Sequence, residues 1–170
     1  MNIDSKILSG LDLSKIVYSQ LSKRIEVLKS QSIIPSLTVI LVGDNSASKI
    51  YVNNKTKRFT QLGLNSSTVN FSIDVTEQEL INKISELNNE DTCHGILVQL
   101  PLPKHINSEK ILLSIDPQKD VDGFHPFNLG KLASGDPTFT PCTPKGIMRF
   151  FEHYAIDISG KHVVVVGRSN

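Results

Sequence analysis

Leu37-Thr-Val-Ile-Leu-Val-Gly43 is the stretch that decides the fold, because a continuous apolar run of this length is typical of a β-strand buried on both faces. Two similar runs follow along the chain, Gly95-Ile-Leu-Val-Gln-Leu100 and Lys161-His-Val-Val-Val-Val-Gly167. Between these runs, apolar residues recur three and four positions apart, which is the period of an amphipathic helix. Strands that alternate with helices predict an α/β fold, a three-layer αβα domain in which helices cover both faces of a mostly parallel sheet.

Several residues that begin or end helices indicate where the elements lie. The apolar stripe from Leu13 to Leu28 predicts a first helix of about five turns. Asp44-Asn45-Ser46 supplies side chains that begin a second helix, which Gly63 ends. Thr76-Glu-Gln-Glu79 is a capping box in front of a third helix. The remaining predicted elements are a strand at Ser66–Ser72, a helix at Ser108–Ser114, a polar loop at Asp116–Gly123 and a helix from its N-cap Thr143 to about Tyr154.

The composition excludes several functional classes. The 170 residues contain 18 Lys and Arg against 17 Asp and Glu, and a formal net charge of +1 argues against a nucleic-acid clamp. No apolar run approaches the roughly 20 residues of a membrane span, and no signal peptide is evident. Cys93 and Cys142 lie far apart, with neither zinc spacing nor a disulfide framework. We therefore expect a cytoplasmic protein with reduced thiols and with no nucleic-acid or membrane partner.

The first candidate site lies on the predicted second helix. Ser48, Tyr51 and Lys55 stand at positions i, i+3 and i+7, which places them on one helix face. A phenol ring can stack on a flat substrate, and an amine one turn away can donate or accept a proton. The alternative is that Tyr51 packs and Lys55 is solvated. A short-chain dehydrogenase also uses Tyr-x-x-x-Lys, but its glycine-rich turn precedes that tetrad, whereas here the order is reversed.

Two further candidates fall where predicted strands end, which is where ligands of parallel sheets bind. Gln99 ends the second apolar run, and Leu100-Pro101-Leu-Pro103 continues it as an extended, stiff segment. The alternative for this segment is a simple strand terminator. Gly167-Arg168-Ser169 follows the third run and looks like the opening of a nucleotide-binding turn, although no second or third glycine follows it.

The loop Asp116–Gly123 carries two carboxylates, Asp120 and Asp122. A single aspartate in such a loop can accept two N–H bonds from a flat heterocycle that has an amino group and a ring N–H. An Asx turn is the alternative. A metal site is disfavoured, because no further carboxylate lies close by in the sequence. We interpret the nearby His125 as a structural or solvent-facing residue.

Together these segments resemble one family, the bifunctional methylenetetrahydrofolate dehydrogenase/methenyltetrahydrofolate cyclohydrolases. The matching segments are Gly43-Asp-Asn-Ser-Ala-Ser48, Tyr51-Val-x-x-Lys55, Val98-Gln-Leu-Pro-Leu-Pro103, Lys119-Asp-Val-Asp-Gly-Phe-His-Pro126, Pro141-Cys-Thr-Pro144 and Val166-Gly-Arg-Ser169. The resemblance implies NADP-dependent oxidation of 5,10-methylenetetrahydrofolate and hydrolysis of the product to 10-formyltetrahydrofolate. The resemblance therefore also implies a role in one-carbon metabolism and in purine biosynthesis. A non-catalytic pterin-binding fragment is the alternative.

The resemblance also implies site residues, without a metal. The implied roles are Lys55 as the catalytic lysine, Tyr51 as the ring that stacks on the folate, Gln99 as the hydrogen-bond partner of Lys55, Asp122 as the pterin anchor, Ser48 as support of the helix face, Leu100 and Pro101 as lining of the pterin pocket, and Gly167, Arg168 and Ser169 as part of the NADP site. The implied catalytic residues are Lys55, Tyr51, Gln99 and Asp122.

The implied domains are a folate-binding catalytic domain at residues 1–140 and, at 141–170, a linker helix with the first strand of an NADP-binding Rossmann domain. Members of the family continue well beyond the Gly-Arg-Ser turn, so the chain is expected to be a fragment, and it is not expected to oxidise the folate alone. The complete enzyme is expected to be a homodimer. Residues from about Ser159 onward are expected to pack onto the first domain, pair with another molecule or be poorly ordered.

Overall fold

The structure is a computed structural model that describes residues 7–167. Its elements are α1 (Gly10–Ser30), β1 (Ser36–Val42), α2 (Ser46–Gln61), β2 (Asn65–Phe71), α3 (Glu77–Asn88), β3 (Gly95–Val98), α4 (Ser108–Leu113), α5 (Pro126–Ala133) and α6 (Cys142–His153). The strands form one parallel sheet in the order β2-β1-β3. This arrangement confirms the predicted parallel α/β architecture.

The central strand is β1, as its apolar sequence predicts. Residues 37–42 are all buried, because their side chains point alternately into two apolar layers. Ile40 packs in one cluster with Leu80 of α3, and Val39 packs in the other with Val52 of α2. Helices therefore cover both faces of the sheet, which is the expected three-layer arrangement.

The predicted helix starts are confirmed for α2 and α3 but not for α6. Asn45 caps α2, and the Thr76 capping box precedes α3. The predicted start of α6 at the N-cap Thr143 is wrong, because the helix begins at Cys142 and Thr143 lies inside it. Pro144 is the third residue of this helix, where a missing N–H costs no hydrogen bond, so the proline does not mark the first helical position.

The helix α5 is an element that the apolar pattern did not predict. His125 is its N-cap, and Nδ1 of this side chain accepts a hydrogen bond from the Phe127 N–H at 3.1 Å. Pro126 occupies the first turn, where proline is favoured. The signal was therefore a polar residue followed by proline, and the structural interpretation of His125 agrees with its capping contact.

The third apolar run, residues 161–167, is not a strand, and this prediction is wrong. Val163 to Val166 are exposed by 55% to 96%, so they do not pack onto the preceding domain. A strand requires a hydrogen-bonded neighbour, and no strand among residues 7–167 pairs with this run. The candidate residues Arg168 and Ser169 lie outside the described residues. Within residues 7–167, no helix has the length and apolar character needed to cross a membrane.

Gly95 of β3 lies directly against Val121, in the loop after α4. A Cβ atom at Gly95 would lie 2.5 Å from Cγ1 of Val121 and 3.5 Å from Cδ1 of Leu37. We expect Gly95→Ala to displace Val121 and to lower the free energy of unfolding by about 1–3 kcal/mol in urea denaturation. The control is Gly130→Ala in α5, where no atom lies within 4 Å and where alanine should stabilise the helix by about 0.5–1 kcal/mol. Equal stability of Gly95→Ala and the unchanged protein would contradict the prediction.

Candidate functional site

Two candidate residues from separate segments meet at the carboxyl edge of the sheet. Nζ of Lys55, on α2, donates a hydrogen bond to Oε1 of Gln99 at 3.2 Å, across 44 residues of sequence. Nε2 of Gln99 donates to the carbonyl oxygen of Leu100 at 2.9 Å. Because the amide nitrogen is held by Leu100, the amide oxygen is directed at Lys55.

The other two residues of the helix face lie at different depths. Tyr51 is 63% exposed, so its ring offers an open face on which a flat molecule can stack. Ser48 is only 5% exposed, and its backbone N–H donates to Oδ1 of Asn45 at 3.0 Å. The structure therefore places Ser48 inside the start of α2, beneath the surface that carries Tyr51 and Lys55.

Asp122 is half-buried, and Lys55 is near enough for its charge to affect the pKa of the Asp122 carboxyl group. Burial raises the pKa of its carboxyl group, and the negative charge of Asp120 raises this pKa further. The positive charge of Lys55 acts in the opposite direction and lowers it. We call Tyr51, Lys55, Gln99 and Asp122 the Lys55 cluster. It combines an aromatic face, an amine held by an amide, and a carboxyl group whose pKa is raised.

Cys142 is a neighbour of this cluster that the sequence did not single out. Its Sγ lies 3.9 Å from Oδ1 of Asp122. Although the residue as a whole is exposed, burial around the sulfur raises the pKa of the thiol, and the charge of Asp122 raises it further. The available signal was the position of Cys142 in the segment Pro141-Cys-Thr-Pro144.

The remaining candidate residues are not all brought to the cluster. Leu100 is partly buried and Pro101 is exposed, and both continue directly from Gln99. Their peptide bond is cis. Gly167 is exposed, and no atom lies within 4 Å of the place where its side chain would begin. The described residues therefore place Leu100 and Pro101 beside the cluster, whereas Gly167 stands alone.

The loop that carries Asp122 is anchored to the rest of the fold. Nζ of Lys119 donates to three carbonyl oxygens at the end of α3, those of Leu87, Asn88 and Glu90, at 2.8–2.9 Å. Gly123 has a φ of +69°, and a Cβ atom there would lie 3.1 Å from the backbone nitrogen of Pro141. Glycine is favoured at this position, because a side chain would combine a strained left-handed backbone with a close contact.

Asp120, the other carboxylate of the loop, is only 2% exposed. Its Oδ2 accepts hydrogen bonds from the backbone N–H of His125 and from Nδ2 of Asn128. This side chain is therefore buried, and its Oδ2 is already engaged by two donors. Among residues 7–167, no group of three or more His, Cys, Asp or Glu is arranged to hold a metal ion.

The members of the Lys55 cluster differ in exposure, since Tyr51 is exposed and the other three side chains are partly buried. A cleft of about 380 Å³ lies between α2 and β2, and its lining includes Gly43, Lys49 and Asn70 but no member of the cluster. A second cleft, of about 520 Å³, lies at the amino ends of the strands.

Sequence comparisons identify a family to which the chain is similar. The family profile described as tetrahydrofolate dehydrogenase/cyclohydrolase, catalytic domain, matches residues 8–122, and the profile of its NAD(P)-binding domain matches residues 141–170. The bifunctional protein FolD of Streptococcus agalactiae serotype V is 51% identical over 167 residues, which is 98% of this chain and 59% of that protein. The protein of the same name from Lactococcus lactis subsp. lactis is 51% identical over 164 residues, 96% of this chain and 58% of that protein. The chain thus spans about three fifths of the length of these curated relatives.

Solved structures show the same fold. The bifunctional enzyme FolD-methylenetetrahydrofolate dehydrogenase/cyclohydrolase from Campylobacter jejuni superposes with a TM-score of 0.85 at 46% identity, over 88% of this chain and 54% of that one. The Trypanosoma brucei dehydrogenase-cyclohydrolase, solved with NADP cofactor and inhibitor, has a TM-score of 0.92 at 32% identity, over 97% of this chain and 57% of that one. These matches confirm the fold class.

Proposed function

The chain belongs to the tetrahydrofolate dehydrogenase/cyclohydrolase family, and we propose that the complete protein is a bifunctional enzyme of one-carbon folate metabolism. It oxidises 5,10-methylenetetrahydrofolate to 5,10-methenyltetrahydrofolate and hydrolyses this product to 10-formyltetrahydrofolate. The observation that carries the proposal is the 3.2 Å hydrogen bond between Lys55 and Gln99, which holds an amine at the carboxyl edge of the sheet. The proposal extends beyond the chain itself, since the relatives are longer.

The proposed roles follow from what the two reactions require. The methenyl product is a cation that water attacks readily, so the protein mainly has to position the folate and move protons. Lys55 accepts a proton from the attacking water and returns one as the ring opens, while Gln99 orients the amine. Tyr51 stacks on the folate and aligns the one-carbon bridge with Lys55.

The pterin would be held beside the same residues. Asp122 accepts hydrogen bonds from the amino group and the ring N–H of the pterin, since an ionised carboxylate is an acceptor with two oxygens. Leu100 and Pro101 line the pterin pocket next to Gln99. Ser48 supports the helix face from within α2, in agreement with its burial.

NADP, when bound, accepts the hydride from the methylene bridge. Gly167, Arg168 and Ser169 would hold part of this cofactor. A glycine at the end of an apolar run lets the phosphate groups of a dinucleotide approach the backbone closely. The guanidinium of Arg168 suits the 2′-phosphate that distinguishes NADP from NAD. The match of residues 141–170 to an NAD(P)-binding domain supports this assignment.

The domain organisation belongs to the same proposal. Residues 1–140 form the folate-binding catalytic domain, and residues 141–170 are the linker helix and the beginning of the NADP-binding domain. We further propose that the complete enzyme is a cytoplasmic homodimer whose product is used in purine biosynthesis. The two family profiles, separated by residues 123–140, support a division near this point.

The experiment that tests the function is an assay of the full-length protein with 5,10-methylenetetrahydrofolate and NADP⁺. We expect the absorbance of the reduced cofactor to rise with time, and added 5,10-methenyltetrahydrofolate to disappear faster than in buffer. A folded protein that binds the folate and accelerates neither reaction would favour the alternative, a non-catalytic pterin-binding protein.

A further inference from the structure

Two polar side chains are buried together beneath the loop that carries Asp122. Asp120 is 2% exposed and Asn128, on α5, is completely buried. Nδ2 of Asn128 donates a hydrogen bond to Oδ2 of Asp120 at 2.9 Å. Burying a carboxylate and an amide costs free energy unless hydrogen bonds are made. Oδ2 of Asp120 and Nδ2 of Asn128 make theirs, whereas Oδ1 of Asn128 is buried without a partner.

The remaining contacts of this pair tie the loop together on both sides of Asp122. The backbone N–H of His125 donates to the same oxygen of Asp120 at 2.8 Å. Nδ2 of Asn128 also donates to the carbonyl oxygen of Pro117 at 2.9 Å. The hydrogen bond between Asp120 and His125 closes a turn of six residues that contains Asp122, and it holds the two ends of that turn together.

The closed turn is also fixed to the sheet. Asp120 forms an isolated parallel bridge with Ile96 of β3, and the Ile96 N–H donates to the carbonyl oxygen of Lys119 at 2.8 Å. β3 leads directly to Gln99, the hydrogen-bond partner of Lys55. The backbone at Lys119 and Asp120 therefore connects the loop of Asp122 to the strand that positions the other half of the Lys55 cluster, while the Asp120 carboxylate closes the turn.

We propose that Asp120, held by Asn128, is a positioning residue that fixes Asp122 where it binds the pterin. The proposal rests on the function proposed above. Asp120 does not itself contact the folate, because it is buried and its Oδ2 is already occupied by two donors. Its effect on folate binding passes through Asp122.

Two substitutions at Asp120 separate its hydrogen bonds from its charge. Asp120→Ala removes the acceptor of both donors. Asp120→Asn is the matched control, because an amide oxygen in the place of Oδ2 can accept both hydrogen bonds. In the full-length protein at mildly alkaline pH, we expect Asp120→Ala to raise the KM for 5,10-methylenetetrahydrofolate about tenfold, while Asp120→Asn stays within about threefold of the unchanged protein.

A double-mutant cycle with Asp122 distinguishes positioning from a general effect on the fold. In an Asp122→Ala background, Asp120→Ala is expected to change this KM by less than about twofold, because the group through which Asp120 acts is absent. An equal rise of KM in both backgrounds would overturn the proposal, and so would an unchanged KM of the single variant. If Asp120→Ala does not fold, Asn128→Ala is measured in the same cycle with the same expected pattern. If the full-length protein without substitutions has no activity, the proposed function is refuted. If that protein is active but the effect of Asp120→Ala does not depend on Asp122, only the positioning role is refuted.

Discussion

Lys55→Met in the full-length protein is expected to lower the rate of 5,10-methenyltetrahydrofolate hydrolysis by about 100-fold or more, while the affinity for folate changes little. Methionine resembles the unbranched apolar stem of lysine but has no amine with which to donate or accept a proton, and proton transfer of this kind contributes about 10²–10⁴ in rate. Affinity should persist because Tyr51 and Asp122 are unchanged. The rate is measured from the loss of methenyl absorbance, and the affinity by calorimetry with a folate analogue.

The matched control for this experiment lies on the same helix. Lys57 is exposed and stands two residues further along α2, outside the Lys55 cluster. Lys57→Met should leave hydrolysis within about twofold of the unchanged protein, because exposed substitutions away from a site have small effects. Near-normal hydrolysis in Lys55→Met would remove Lys55 from the mechanism, and a loss of folate affinity equal to the loss of rate would assign it to binding.

Local sequence patterns predicted the elements whose formation depends on neighbouring residues in the sequence. The run Leu37–Val42 indicated a doubly buried strand because every side chain except Thr38 is apolar, and the structure buries all six. The capping box at Thr76–Glu79 forms because both of its hydrogen bonds lie within four residues. The run at residues 161–167 has the same apolar character but forms no strand, since an apolar sequence does not determine which neighbour will pair with it.

The sequence predicted some residues of the candidate site but not the contacts that depend on how distant elements pack. Helical spacing places Tyr51 and Lys55 on one face, and the rule that parallel strands end at one edge brings Gln99 close to them. The sequence does not show which carboxylate of the Asp-Val-Asp loop is buried. The burial of Asp120 depends on a hydrogen bond to Asn128, on a helix that the apolar pattern did not reveal. The approach of Cys142 to Asp122 likewise depends on where α6 packs.

The second large effect is expected at Asp122. Asp122→Asn replaces half of a paired acceptor with a donor, which would then face a donor of the pterin. We expect folate binding to weaken by about 1–3 kcal/mol, which calorimetry on the full-length protein would measure. Asp91→Asn is the control, because Asp91 is exposed and precedes β3 at the opposite edge of the sheet. Equal affinities of the Asp122 variant and the unchanged protein would reject Asp122 as the pterin anchor.

The pH dependence of binding provides an independent check on the same residue. Burial raises the pKa of Asp122, and the pterin requires the ionised carboxylate as an acceptor, so the affinity of the unchanged protein should fall as pH falls through this raised pKa. Lys55→Met should shift that fall to higher pH, because the positive charge of Lys55 lowers the pKa of Asp122. The Asp122→Asn variant should show no such fall, since asparagine does not titrate in this range.

The same substitution should change stability in the opposite direction from binding. A carboxyl group whose pKa is higher in the folded protein than in the unfolded chain binds its proton more tightly when folded, so stability is lost as pH rises from the ordinary value of 3.8 through the raised pKa. Asparagine has no charge to bury. Asp122→Asn should therefore have a higher Tm than the unchanged protein at neutral pH, and the difference should shrink as the pH is lowered toward 3.8. A Tm difference independent of pH would show that the burial of the Asp122 charge does not limit stability, because the two proteins differ chiefly in whether this side chain can ionise.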